Sequence, residues 1–212
     1  LGYFEEVNVD NEPVPGSDDQ VDVVYEVKET TSGSIAAGVG YSQLSGVNLS
    51  LQLSENNFLG TGNRVSMAVT RSTYQKRYDF SFMNPYFTDE GLSLGYNLWW
   101  REFDYSSFNV ASYSTNSGSF QVFMGLPLSE SDSISLMVGL DSNEILAFEG
   151  STPQPLVDYV KAVGQRTFHS WRAQVGWGRD TRNNYFTPVV GGTQSLSAEI
   201  ALPGSTVEYF KL

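Results

Sequence analysis

The feature that most constrains the fold is a strict alternation of side chains that begins at Gly33. Residues 33–42 and 46–55 place apolar side chains at every second position, with Ser, Asn, Gln, Gly or Ala between them. A period of two puts successive side chains on opposite faces of a β-strand. The second face would carry charge if it met water in a soluble sandwich, but here it is small and uncharged. The pattern is typical of a barrel with an apolar outer surface and a polar lumen.

Composition agrees with this interpretation. Charged residues make up 17% of the chain and aromatic residues 14%, whereas average soluble domains carry about 25% charged residues. No apolar run is long enough for a transmembrane helix, but closed barrels can also cross a bilayer. The net charge of −12 argues against nucleic acid as a partner. Cysteine is absent, which excludes disulfides and thiolate metal sites.

The alternation predicts an all-β antiparallel transmembrane barrel fragment of about nine strands plus the start of a tenth. Polar and aromatic loops are expected at 104–117 and 145–168, the second with a short helix near 156–163. Because bacterial barrels have even strand numbers and no free edge, we expect a fragment of a larger barrel. The predicted strands are 33–42, 46–55, 64–72, 76–83, 91–103, 118–126, 133–144, 169–179 and 193–203, with the start of a tenth at 208–212.

Residues 1–31 differ from the rest in being acidic and rich in turn residues. Two short β-rich runs, 7–9 and 21–27, flank a connection that contains Pro13, Pro15 and Gly16. So short a segment cannot bury a core of its own. We therefore predict two parts, the last strands of a soluble module at 1–31 and the barrel portion at 32–212, and expect the natural chain to begin upstream with a signal peptide.

No catalytic constellation is evident. His169 is the single histidine, so histidine metal clusters and relays are excluded. Paired acids such as Asp89 and Glu90 fall in predicted turns, and the Gly60-Thr61-Gly62 turn lacks the lysine of a phosphate-binding loop. We expect no enzymatic activity and no cofactor.

Several turn motifs have an individual physical explanation, since Pro85 fixes φ and the rings of Phe58, Tyr86 and Phe87 suit the headgroup level of a bilayer. Together, in order and spacing, they resemble the BamA family of bacterial outer-membrane protein assembly factors over essentially the whole chain. Two departures are a Phe-Thr-Pro order at 186–188, where the family more often has Phe-Pro-Thr, and the absence of the family's Arg-Gly-Phe/Tyr motif. The resemblance rests on Asn57, Phe58, Leu59, Gly60 and Gly62; on Asn84, Pro85, Tyr86 and Phe87; on Asp180, Arg182, Phe186, Pro188 and Gly191; and on Leu1–Phe4, Val14–Gly16, Val21–Val23 and Val27–Glu29.

The resemblance implies a role and a location. Residues 1–31 would end the last periplasmic POTRA domain, and 32–212 would form the first half of a barrel in the Gram-negative outer membrane. Loops 43–45, 72–75, 104–117, 145–168 and 203–206 would then be extracellular. The implied partners are client outer-membrane proteins, the lipoproteins of the barrel assembly complex and the lipid bilayer.

The first barrel strand is the candidate functional element. Its glycines and alanines either form a weak seam or merely make room in the lumen. The resemblance implies a lateral gate whose edge templates client strands by β-augmentation. The alternatives are a translocation barrel of the same superfamily or a passive porin-like channel. The candidate gate residues are Gly33, Ser34, Ile35, Ala36, Ala37, Gly38, Val39 and Gly40.

Overall fold

The computed structural model describes residues 4–13, 15–16, 20–43, 46–108, 112–147 and 152–212. Parts of the expected loops at 43–45, 104–117 and 145–168, and the motif residues Leu1–Tyr3 and Val14, lie outside these described residues. Within them, the chain forms a two-stranded sheet and a larger antiparallel sheet, which we call the main sheet.

The two-stranded sheet is a hairpin of β1 (Phe4–Pro13) and β2 (Val21–Glu29). Its strands are longer than the short runs that the sequence predicted. Every residue whose burial is described in these strands is exposed, and a lone hairpin of this kind is marginally stable at best in water. That this hairpin ends a soluble domain therefore stays a prediction, although its exposed surfaces fit a piece of a larger folded unit.

The main sheet contains the strands β3 to β12, each bonded to its neighbours in chain order, so that β3 and β12 form its two edges. All neighbours are antiparallel, which requires only short connections. The strands are β3 (Gly33–Ser42), β4 (Gly46–Phe58), β5 (Asn63–Arg71), β6 (Gln75–Asn84), β7 (Ser93–Asp104), β8 (Tyr113–Pro127), β9 (Asp132–Ala147), β10 (Thr167–Asp180), β11 (Thr193–Ala201) and β12 (Phe210–Lys211).

The register aligns chemically similar residues into rows that cross the sheet. One apolar row passes through paired residues of eight strands, and the neighbouring row on the opposite face is small or polar until it reaches Arg172. The apolar row is Ile35, Leu53, Met67, Phe80, Leu98, Phe120, Leu140 and Trp171; the polar row is Ser34, Ser54, Ser66, Ser81, Asn97, Gln121, Gly139 and Arg172.

Burial on the two faces is the inverse of that in a soluble sheet. Trp171 on the apolar face is 47% exposed, whereas the side chain of its neighbour Arg172 on the polar face is 18% exposed. The next strand shows the same difference. Ile200 on the apolar face is 49% exposed, whereas the side chain of Glu199 on the polar face is 11% exposed. On β10 and β11 the polar face is therefore sheltered and the apolar face is open. An open apolar surface of this extent fits contact with lipid.

The sequence placed the strands well but two loops less well. Residues 113–117 extend β8 where a loop was expected, and residues 105–108 form a 3-10 turn. The expected loop at 145–168 is shortened at both ends by β9 and β10, and it contains α1 (Gln154–Val163), which ends at Gly164 with φ 73°. In the described part of the chain, no helix is long and apolar enough to cross a membrane.

Candidate functional site

All eight predicted gate residues lie on β3, at one edge of the main sheet. The strand pairs with β4 along its whole length, from Gly33 opposite Glu55 to Ser42 opposite Gly46. In the ranges that the structure covers, no strand pairs with its other side. The backbone groups on that side are therefore available for a further strand.

The side chains of β3 give this edge little packing. Ile35 and Val39 on the apolar face are 78% and 81% exposed. On the polar face, a Cβ added at Gly38 would meet Ser50 Oγ at 2.6 Å, whereas one at Gly40 would meet nothing within 4 Å. Backbone hydrogen bonds to β4 thus contribute most of the attachment of this strand. The glycines weaken it further, because glycine loses more conformational entropy on folding than other residues do.

The first family turn reverses the chain between β4 and β5. The Gly62 amide donates to Asn57 Oδ1 at 2.8 Å, and the Gly60 amide donates to the Asn57 carbonyl at 3.0 Å. Leu59, Gly60 and Gly62 all have positive φ, of 54°, 74° and 73°. Glycine adopts this conformation without strain, and Asn57 closes the turn through its side chain. Leu59 adopts it as a non-glycine residue and leaves its side chain in solvent.

The second family turn connects β6 to β7. The Tyr86 amide donates to Asn84 Oδ1 at 3.0 Å, which caps the end of β6 where Pro85 provides no amide hydrogen. The Phe87 amide donates to the Leu92 carbonyl at 2.8 Å. Tyr86 and Phe87 both remain exposed. Two hydrogen bonds to the carboxylate lower the pKa of Glu90. The stronger contribution comes from its own backbone amide and the weaker one from the Thr88 side chain.

The third family turn, between β10 and β11, is fixed by side chains. Arg182 donates to both carboxylate oxygens of Asp180, with Nη2 2.6 Å from Oδ2, and its guanidinium lies 4.8 Å from the centre of the Tyr185 ring. Asn183 Oδ1 accepts the amides of Val189 and Val190. The bonds from Arg182 lower the pKa of Asp180, at the end of β10, to about 2. This pairing keeps the carboxylate ionised at all ordinary pH values.

Gly191 and the exposed ring of Phe186 complete this turn. Gly191 has φ 88°, and a Cβ there would collide with the Thr181 carbonyl, so glycine is required sterically. Phe186 is 88% exposed and lies one residue beyond Tyr185. Pro188 is exposed too. Since the strands alternate in direction, all three family turns lie at the same end of the main sheet, where β3 begins.

The sequence analysis missed a charge cluster on the polar face. Arg172 of β10 contacts Asp141 of β9, with Nε 2.6 Å from Oδ2, and Glu199 of β11, with Nη1 3.2 Å from Oε2. Glu199 also accepts bonds from Tyr209 and Lys211. The cluster joins the four adjacent strands β9 to β12, the last through Lys211, and also includes Tyr209 just before β12. The sequence held a usable signal, because Asp141, Arg172 and Glu199 all occupy polar-face positions of predicted strands.

The described part of the chain was also searched for a metal site. No group of three or more His, Cys, Asp or Glu side chains is arranged there to hold a metal ion. The carboxylates of the cluster are engaged by Arg172, Tyr209 and Lys211 instead.

An antiparallel sheet with an open apolar face and a sheltered polar face defines part of a transmembrane β-barrel. A family model, the Omp85 superfamily domain, matches residues 57–212. The chain belongs to the Omp85 superfamily. The resemblance to BamA is confirmed as well, by relatives and by a solved structure.

Two curated relatives carry the name outer membrane protein assembly factor BamA. The protein of Neisseria meningitidis serogroup B is 31% identical over 99% of this chain, and that of Buchnera aphidicola is 29% identical over 68%. The chain spans 27% and 23% of the lengths of these two proteins.

Two solved structures support the fold. The crystal structure of BamA from Haemophilus ducreyi lacking POTRA domains 1-3 matches 97% of this chain with a TM-score of 0.74 and 28% identity, and the match covers 40% of that chain. CdiB from Escherichia coli matches 94% of this chain, with a TM-score of 0.55 and 15% identity, over 37% of its own chain. The second likeness shows the fold alone.

Proposed function

We propose that this chain is the gate-bearing part of an outer-membrane protein assembly factor, which inserts client β-barrels into the outer membrane of a Gram-negative bacterium. The relatives named as assembly factors support this role, and they match the chain at about twice the identity of the CdiB structure. The work is non-enzymatic and needs no cofactor. Clients, the lipoproteins of the assembly complex and the lipid bilayer are its partners.

The observation that carries the proposal is the character of β3. This strand is attached to the main sheet on one side, carries glycine at 38 and 40, and leaves its apolar side chains open. A client strand can pair with such an edge through main-chain hydrogen bonds, which demand little of the client sequence. In the resting protein, the strand that closes the barrel would occupy the same edge through a seam with few side-chain contacts.

Membrane orientation follows from the hairpin of β1 and β2. With this hairpin in the periplasm, β3 runs outward and the three family turns face the periplasm. Their exposed rings, which include Tyr86 and Phe186, then lie at the headgroup level of the inner leaflet, where amphipathic rings are favourable.

The decisive experiment is a tether across the seam. Gly40→Cys is a better site than Gly38→Cys, because a new side chain at 40 meets nothing within 4 Å whereas one at 38 crowds Ser50. The second cysteine is placed on the strand that closes the barrel against β3. We expect the oxidised protein to lose at least about tenfold in the rate of client insertion into vesicles, since client pairing requires an open edge.

The matched controls are the same double-cysteine protein after reduction and each single-cysteine protein under oxidation. All three should insert clients at the parental rate. Normal insertion by the oxidised, fully tethered protein would contradict the proposal.

A further inference from the structure

The register of β3 against β4 is specified at one end by the short connection between Ser42 and Gly46, because loop length sets the register of a hairpin. Along the strand itself register is weakly specified, as it is in glycine-rich strands in general. On its polar face β3 offers Ala36, Gly38 and Gly40 beyond Ser34. A slip of two residues would keep every side chain on its own face and would meet little resistance along this stretch.

The first residues of β3 make contacts with β4 that Ala36, Gly38 and Gly40 cannot make, because these three residues carry no polar side chain. Gly33 lies opposite Glu55, and a Cβ at 33 would lie 2.5 Å from Glu55 Oε2. The carboxylate occupies the space that any other side chain would fill. It accepts the Asn57 amide at 3.0 Å and a bond from the Ser32 side chain.

The neighbouring residues are tied in the same way. The Asn56 amide donates to the Ser32 carbonyl at 3.0 Å, and Asn56 Nδ2 donates to the same oxygen at 3.3 Å. Ser34 Oγ and Ser54 Oγ lie 2.7 Å apart. Ser32, which precedes β3, and Ser34 within it are thus bonded to the last part of β4, and the Glu55 carboxylate lies against Gly33 between them.

We propose that Ser32, Gly33, Glu55, Asn56 and Asn57 form a register lock that positions β3. If β3 slipped by two residues, Ile35 would come opposite Glu55 and its Cβ would enter the space of the carboxylate. The Ser32 bonds to Asn56 would be lost as well. The inference rests on the proposed function in one respect, namely that the locked register is the one β3 presents to a client strand.

The lock can be broken without unfolding the sheet. Glu55 Oε2 is the end of a flexible side chain, so a methyl group at 33 displaces the carboxylate and not the backbone. Gly33→Ala should therefore release Asn57 and Ser32 while the β3–β4 ladder persists. Glu55→Ala should have the same effect by removing the carboxylate outright.

The test is a double-mutant cycle on the complete protein in lipid vesicles, read by amide hydrogen exchange at Asn56 and Asn57. We expect Gly33→Ala and Glu55→Ala each to speed exchange about three- to tenfold, as loss of one hydrogen bond implies. The double variant should match Glu55→Ala alone, because the methyl group then has nothing to displace. If Gly33→Ala accelerated amide exchange equally in the presence and in the absence of Glu55, the proposed register lock would be wrong.

Cysteine pairs report the register itself. Ser34→Cys with Ser54→Cys should cross-link in the native register, and Ala36→Cys with Ser54→Cys in the slipped one. We expect Gly33→Ala to raise the yield of the 36–54 disulfide at least severalfold. The matched control is Gly178→Ala on β10, where a Cβ would meet Ser133 Oγ at an ordinary 3.6 Å. An unchanged 36–54 yield in Gly33→Ala would contradict the proposal.

These measurements contain no client, so they separate the lock from the proposed function. Client insertion is then measured in the same vesicles. Slower insertion by Gly33→Ala, with the parental rate in Gly178→Ala, supports the link between register and client pairing. Parental insertion despite a slipped register would overturn the role of β3 as the client-pairing edge and leave the lock intact.

Discussion

Strands β3 and β10 belong to the same sheet but are held in opposite ways. β10 pairs with β9 and β11 along most of its length, and Arg172 binds a carboxylate on each of these neighbours. β3 pairs with β4, and near its start Ser34 makes a side-chain contact with Ser54. The main sheet thus combines a strand built to stay in place with one whose attachment is mostly backbone.

This difference bears on the proposed opening of the barrel. Local opening free energies follow local contacts, and the elements that move in function come from the least stable regions. Opening at β3 would sacrifice few side-chain contacts, whereas opening at β10 would expose three sheltered charges. We therefore expect opening at β3 to cost less free energy than opening at β10.

Removal of the Arg172 charge should give the largest effect among the tests of this comparison between β3 and β10. Arg172→Met should lower the free energy of unfolding by about 3 kcal/mol, because Asp141 would remain sheltered without its cation and Glu199 would keep only its contacts with Tyr209 and Lys211. The value lies at the low end of the range for buried pairs, since the Arg172 side chain keeps 18% exposure. Urea unfolding in lipid vesicles measures it.

The control removes all three charges together. Arg172→Met combined with Asp141→Asn and Glu199→Gln should recover most of the loss, because no unpaired charge remains on the polar face. Lys211, whose side chain is 68% exposed, can return to solvent. A loss under about 1 kcal/mol in the single variant, which is typical of a surface pair, would remove the energetic distinction between the two strands.

A glycine in the interior of the sheet gives the next largest effect. Gly95 of β7 is buried, and the Phe123 ring covers the position that a Cβ would take. Gly95→Ala should cost about 1–3 kcal/mol, as overpacking does. Adding Phe123→Leu should restore part of the loss by removing the ring. Unchanged stability in Gly95→Ala would indicate that the interior tolerates crowding as readily as the edge does.

How far the sequence could predict these features depends on the kind of information involved. Alternation located β3 with its observed bounds, because period-two burial is a local property. It missed the start of β8, since 113–117 reads Tyr-Ser-Thr-Asn-Ser and has no apolar face. Those residues pair with 143–147 of β9 through the backbone ladder, and Asn116 binds Glu144 across it.

The features of the candidate site also divide into those that are local in sequence and those that depend on the pairing of strands. The motif turns were visible because glycine, proline and asparagine requirements are local, and the Asn57 and Asn84 side chains indeed close their own turns. The contact of Glu55 with Gly33 was not visible, and for the Arg172 cluster the sequence showed the shared face of the three residues but not their pairing. Both depend on the register between strands, which alternation leaves open to shifts of two residues.

The smallest expected effect comes from a glycine-to-alanine substitution at the edge of the sheet. Unlike Gly95→Ala in the interior, it should raise stability. Gly40 of β3 has nothing within 4 Å of its Cβ position and does not adopt positive φ. Gly40→Ala should therefore raise the free energy of unfolding by about 0.4–1 kcal/mol, because alanine restricts the unfolded chain without straining the folded one. Urea unfolding beside Gly95→Ala gives the comparison under identical conditions. Opposite signs would establish that β3 is under-packed by its composition, and a loss at both positions would mean that the edge is as closely packed as β7.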